Sequence, residues 1–210
     1  MDRDTPVIGM VSRLAGQKGF DILFEAMERL MALDLSMVVV GSGDRKYQLF
    51  LEDFAALYPG RLGVRIGFDI PLSHIVEAGA DMFLMPYLYE PCGLNQIYSL
   101  RYGTVPIVRA TGGLDDTVSD YGRKDSNGFK FKEYSAEALV AKVSEALVLF
   151  KDKKAWKALQ ARGMQERFSW ESSAKSYVKL YTIARKRCLK FNQQGIKNAH
   201  PKKSAPLKTK

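Results

Sequence analysis

The sequence predicts an α/β fold, a parallel sheet with helices on both faces followed by C-terminal helices. Three observations predict it. Short apolar runs of strand length recur five or six times along the 210 residues, most lead into a glycine-bearing loop, and helical apolar spacing then follows. Continuous apolar runs belong to strands covered on both faces, as a parallel sheet between helical layers requires. A hydrophobic fraction of 46% over this length suffices for one sizeable core.

The first run, Val7-Ile8-Gly9-Met10-Val11, enters the loop Ser12-Arg13-Leu14-Ala15-Gly16-Gln17-Lys18-Gly19, and Phe20, Leu23, Met27 and Leu30 then share one helical side. Residues 37–40 form a second run, followed by Gly41-Ser42-Gly43 and a helix over about 45–58. A third strand at 63–66 leads through Gly67-Phe68-Asp69 to a short helix near 72–78. The fourth, Met82-Phe83-Leu84-Met85, is ended by Pro86 and followed by a helix opening near Gly93. Pro106 within the fifth run, 105–108, predicts a bulge or an edge-like position. Residues 127–131 add a sixth strand. Ser135 caps a helix to about 150, a second runs from 152 or 153 to about 165, and a third from 170 to about 187. This alternation is that of a doubly wound, Rossmann-like sheet. Gly41-Ser42-Gly43 lacks the third glycine of the dinucleotide fingerprint, so NAD is not expected.

Charge and cysteines narrow the function classes. The net charge of +9 lies at the C-terminus: nine of the 32 basic residues fall in 185–210, which holds no acid, and the remainder balance the 23 acids. A neutral globular part speaks against nucleic acid as the partner, and residues 188–210 read as a basic, disordered tail. No apolar run reaches the ~20 residues of a membrane span. Cys92 and Cys188 fit no metal spacing, and His74 and His200 form no triad or metal cluster, so no metal is expected. Cys92 is expected to be a small buried hydrophobe.

Chemistry concentrates where three loops meet at the carboxyl ends of the strands, the place where open parallel sheets bind ligands. Arg13 and Lys18 lie in the first loop, Glu90 through Gln96 in the second, and Arg109-Ala110-Thr111-Gly112-Gly113-Leu114 in the third. A helix starting near Gly93 directs unpaired N–H groups and a partial positive charge at the same place. Two cations with glycine-exposed amides suit a diphosphate, and they stabilise a departing nucleotide without a metal.

Ser-Arg-Leu and Gln-Lys-Gly within 12–19, Glu-Pro-Cys-Gly-Leu-Asn-Gln at 90–96, and Tyr-Gly-Thr-Val-Pro-Ile-Val-Arg-Ala-Thr-Gly-Gly-Leu-Asp-Asp-Thr-Val at 102–118 resemble the C-terminal domain of bacterial glycogen synthases and plant starch synthases. The resemblance spans about residues 5–187. It implies a GT-B glycosyltransferase that moves glucose from ADP-glucose to the non-reducing end of an α-1,4-glucan with retention, needing no cofactor or metal. Under it, Arg13 and Lys18 hold the diphosphate, Glu90 contacts the glucose hydroxyls, and the backbone at Gly93, Leu94 and Asn95 approaches sugar and phosphate. Phe68 stacks on adenine, and Thr111, Gly112 and Gly113 line the phosphate pocket. The second Glu that broader two-domain transferases carry is here Tyr98.

The resemblance also implies an N-terminal GT-B domain as partner, for which these residues hold no counterpart. The expected organisation is a nucleotide-sugar-binding domain at 1–187 and the tail at 188–210, from a longer or naturally truncated protein. Such a chain is expected to bind ADP or ADP-glucose without transferring glucose alone. A bacterial cytoplasm is the expected setting, with plastid stroma as alternative. A UDP-sugar transferase and a non-catalytic nucleotide-binding module are the competing functions.

Overall fold

The computed structural model describes residues 4–199. They fall into two compact units divided between Glu166 and Arg167. The first holds strands β1 (Val7–Val11), β2 (Ser36–Gly41), β3 (Leu62–Ile66), β4 (Met82–Met85), β5 (Val105–Arg109) and β6 (Phe129–Phe131). Its helices are α1 (Phe20–Met31), α2 (Arg45–Leu57), α3 (Ile70–Gly79), α4 (Asn95–Tyr102), α5 (Gly112–Thr117), α6 (Ala136–Lys151) and α7 (Lys153–Gln165).

All six strands run parallel in the order β3-β2-β1-β4-β5-β6. The chain builds outward from β1 to β3, then returns to start the other half at β4. The seam between β1 and β4 is therefore the topological switch point, where the loops leaving the two strands diverge and open a crevice. Why these residues make this sheet is visible in burial: all four residues of β4 are fully buried, as are Ile8 and Met10 of β1. Each such side chain removed from water contributes roughly 1.5–3 kcal/mol against chain entropy. Phe20, Leu23, Met27 and Leu30 of α1 join this core as the helical spacing predicts. Ser135, Asp152 and Asp69 cap α6, α7 and α3 through their side chains, Asp69 being the last residue of the loop 67–69.

Pro106 departs from expectation. It lies in β5, which is paired on both sides, by β4 and by β6. The position tolerates proline because Val105 N–H donates to the Asp81 carbonyl on the β4 side, so the next residue's nitrogen faces β6. There β6 begins only opposite Ile107, and no ladder bond is lost.

Among the described residues, the second unit holds one helix, α8 (Trp170–Ala199). Trp170, Ala174, Tyr177, Tyr181, Ala184, Cys188 and Phe191 recur at spacings of four and three along it, with the Tyr177 and Tyr181 rings 6.1 Å apart. The helix continues past residue 187, where the sequence places its end. Residues 188–199 contain no proline and only Gly195 as a poor helix former, which costs ~1 kcal/mol and does not stop a helix. The helix end expected at about 187 is therefore moved to Ala199; of the tail expected at 188–210, residues 200–210 lie outside the described residues. Among the described residues no helix is long and apolar enough to cross a membrane.

Candidate functional site

Two adjoining cavities open at the carboxyl ends of the strands. One, of about 240 Å³, lies between the loops leaving β1 and β4 and is lined by Arg13, Lys18, Glu90, Gly93, Leu94, Asn95 and Gln96 with Tyr87. Its neighbour, of about 200 Å³, is lined by Gly41, Ser42, Gly67, Phe68, Asp69 and Ser73. Ser12, Arg13 and Asn95 belong to both, so the two form one continuous trough.

The β1 loop is shaped by its contact with the β4 loop. Its 3₁₀ turn Gly16–Lys18 ends at Gly19, whose φ of 76° is left-handed; a Cβ there would stand 2.1 Å from the Pro86 carbonyl oxygen. Only glycine permits that approach. The strap that follows is fastened by Leu88 N–H to the Gln17 carbonyl at 3.0 Å and by Gln17 Nε2 to the Tyr89 carbonyl at 3.2 Å. These bonds bring Lys18 and Glu90 together across 72 positions: Lys18 Nζ meets Glu90 Oε2 at 2.5 Å, with both side chains largely buried at 16% and 13% exposure. Lys18 also lies over the Tyr87 ring, 4.1 Å from its centroid. Burial holds the Tyr87 phenol well above its ordinary pKa, so that ring offers the ammonium a neutral face. Arg13 is exposed, and its Nη2 reaches Gln17 Oε1 at 3.5 Å.

The floor of the trough is the start of α4. Leu94 occupies the N-cap without a side-chain cap; Ile97 N–H donates to the Leu94 carbonyl at 2.9 Å, and the N–H groups of Asn95 and Gln96 are left for whatever enters. Asn95 Nδ2 donates to the Val11 carbonyl at 2.9 Å, fixing this helix end to the end of β1. Gln96 is fully buried; its Nε2 donates to the Cys92 and Gly93 carbonyls, and its Oε1 has no partner among the described residues. Gly41-Ser42-Gly43 serves contact between loops: Leu14 N–H donates to the Ser42 carbonyl, and Asp44 N–H to the Leu14 carbonyl.

The structure thus brings Arg13, Lys18, Glu90, Gly93, Leu94 and Asn95 to one cavity and Phe68, 87% exposed, to the adjoining one. Thr111, Gly112 and Gly113 line neither. Gly113 N–H is taken by the Glu90 and Pro91 carbonyls, each at 3.1 Å, and Cβ atoms at Gly112 and Gly113 would stand 2.1 Å from the Glu90 carbonyl oxygen and 2.0 Å from that of Cys92. The pair supports the Glu90 loop from behind. Cys92 is exposed, against the expectation of a buried hydrophobe, because it sits on the outside of that turn between Pro91 and Gly93. Sequence reasoning missed Tyr87 and Gln17, whose contacts are visible only once the loops meet. Among the described residues no three His, Cys, Asp or Glu side chains cluster as metal ligands.

Known proteins resemble this chain in sequence and in fold. A glycogen synthase of Koribacter versatilis is 53% identical over 182 residues, covering 86% of this chain and 38% of the relative. One from an Anaeromyxobacter species is 52% identical over 179 residues, covering 85% and 38%. The chain therefore spans well under half the length of these relatives. Among solved structures, the catalytic domain of starch synthase IV from Arabidopsis thaliana, bound to ADP and acarbose, superposes with a TM-score of 0.79 at 33% identity, over 86% of this chain and 38% of that one. The parallel sheet flanked by helices is that of GT-B glycosyltransferases. Residues 1–161 match the family described as glycosyl transferases group 1, and with that match over most of its length the chain belongs to that family.

Proposed function

We propose that this chain is the ADP-glucose-binding part of a glycogen or starch synthase, acting with an N-terminal GT-B domain to transfer glucose to the non-reducing end of an α-1,4-glucan with retention. The observation that carries the reading is the trough at the β1/β4 seam, where Arg13, the Lys18–Glu90 pair and the uncapped start of α4 converge. A diphosphate placed there meets a guanidinium, an ammonium and first-turn amides, while the adjoining cavity offers the exposed Phe68 ring to a base. Glu90 then faces the hexose hydroxyls. As the bond from the anomeric carbon to the diphosphate oxygen breaks, its electron pair leaves with ADP, and Arg13 and Lys18 meet the charge that develops. The acceptor 4-hydroxyl oxygen forms the new bond to the anomeric carbon, and its proton passes to the departing diphosphate oxygen. The chemistry asks for no metal or cofactor. The bacterial relatives make a cytoplasmic setting the natural one.

Because the chain spans 38% of those relatives, binding is the property to test. Calorimetric titration with ADP is expected to give saturable binding that Arg13→Ala or Lys18→Ala weakens roughly tenfold to a hundredfold, the ~1.5–3 kcal/mol of a charge-assisted hydrogen bond, with melting behaviour preserved. Unchanged affinity in both variants removes the reading. UDP-glucose is expected to compete poorly with ADP-glucose; equal competition would favour a UDP-sugar transferase.

A further inference from the structure

We propose that Arg109 and Tyr134 are positioning residues for the Lys18–Glu90 pair, an inference that rests on the diphosphate reading of the trough. Arg109 ends β5, and its Nη1 donates to the Tyr87 carbonyl at 3.3 Å and to the Leu88 carbonyl at 2.8 Å, in the strap that leads to Glu90. Its guanidinium lies over the Tyr134 ring, 5.2 Å from the centroid. The Tyr134 hydroxyl bonds the Asp21 carboxylate and lies 3.2 Å from the Gly16 carbonyl. Gly16 opens the turn that carries Lys18, and Asp21 stands in the first turn of α1 just beyond it. One stacked pair therefore fastens both segments, the one presenting the ammonium and the one presenting the carboxylate.

The placement is unusual for an arginine. Among the described residues no ion pair includes Arg109, and its buried Nε has no hydrogen-bond partner. A cation held this way depends on the two strap carbonyls, both met by Nη1, and on the aromatic face under the flat guanidinium, a combination that the compact ammonium of lysine does not reproduce. Burial, with the Asp21 carboxylate beside it, also keeps the Tyr134 phenol protonated far above its ordinary range, so the hydroxyl stays a donor throughout the physiological interval. Neither residue lines the trough, so what they do for a ligand passes through the two loops. Separations near 2.5 Å between donor and acceptor leave little slack, and supporting groups of this kind commonly change affinity by ~10-fold when removed.

The test compares the chain with Arg109→Lys, Tyr134→Phe and, as a site control, Arg13→Ala. Arg109→Lys keeps the charge and loses the flat guanidinium; Tyr134→Phe keeps the ring and loses the hydroxyl. The readouts are ADP affinity by calorimetry, hydrogen exchange of the Lys18 ammonium by ¹⁵N NMR, and Tm. Arg109→Lys and Tyr134→Phe are each expected to weaken ADP binding by roughly three- to tenfold and to speed ammonium exchange by a similar factor. Arg13→Ala is expected to lose affinity with ammonium exchange unchanged. Wild-type affinity and wild-type ammonium exchange in both Arg109→Lys and Tyr134→Phe, even with a lowered Tm, overturn the inference. If the unaltered chain binds no ADP, the diphosphate reading fails by itself, and the exchange rates still decide whether these two residues hold the pair.

Discussion

The two ends of the sheet each carry a cavity, and the larger one is at the wrong end for chemistry. At the amino ends of the strands, a space of about 480 Å³ is bounded by Pro6, Leu33, Leu147, Val148 and Phe150, with Asp34, Lys151 and Lys153 around it. The trough at the carboxyl ends is built from cavities of about 240 and 200 Å³. Volume does not locate the site. What separates the ends is convergence: at the carboxyl end an ion pair, a second cation, an uncapped helix start and a buried amide face one space, whereas at the amino end apolar side chains share the wall with Asp4, Asp34, Ser144, Lys151 and Lys153, and the helix that starts there is capped by Asp152. Topology produces the difference, because the chain reverses its direction of building between β1 and β4 and the loops there must part.

Substitutions at the two ends sharpen this contrast. Gly19→Ala is expected to have the largest effect, since it strains a left-handed residue and drives a Cβ into the Pro86 carbonyl. A loss of about 3 kcal/mol in urea unfolding is expected, with ADP binding abolished; wild-type stability would mean that the loops are free to separate.

Next come two carboxylates with opposite surroundings. Glu90 has an ammonium at 2.5 Å, whereas Glu77 of α3, only 3% exposed, has His74 Nδ1 at 3.8 Å, and burial pushes its pKa up to about 7. The folded protein therefore holds the Glu77 proton more tightly than the unfolded chain does. Stability is fully present below the ordinary value of 4.5 and is lost as pH rises through about 7, by on the order of 1–3 kcal/mol. Urea unfolding at pH 5 and pH 8 is expected to show this decline in the wild type and to lose most of it in Glu77→Gln; an unchanged decline in the variant would assign it elsewhere.

At the trough, Glu90 holds the ammonium that an entering diphosphate meets. Glu90→Gln is expected to weaken ADP binding by about fivefold, close to 1 kcal/mol, because Lys18 loses the partner that fixes it. Tighter binding of ADP in that variant would show instead that Glu90 and the phosphates compete for Lys18. The smallest effect belongs to the amino end. Val148→Ser, at a side chain 71% exposed, is expected to change stability by less than ~0.5 kcal/mol and ADP affinity not at all, as calorimetry would show.

How much of this was legible in the sequence follows from what each signal constrains. Apolar runs and helical spacing gave the strands and most helices, since a residue buried on both faces has few alternatives. They also placed the loops carrying Arg13, Lys18 and Glu90 at one end, because parallel strands leave no choice of end. The contact between Lys18 and Glu90 was not legible, for it depends on two loops meeting across 72 positions. Gly112 and Gly113 show a different limit. A glycine pair reads alike whether it bares its amides to a ligand or admits another backbone, and here Gly113 gives its N–H to Glu90 and Pro91. Pro106 misled because its tolerance depends on where β6 begins, a fact of register that the proline itself does not carry.

The most direct test of the account is an amide NMR titration of the chain with ADP. The account expects shifts confined to residues 12–18, 41–43, 67–69 and 87–96, with the amides of 144–151 unmoved. Shifts concentrated at 33–34 and 144–151, with the first four segments silent, would place the ligand in the larger cavity and contradict it.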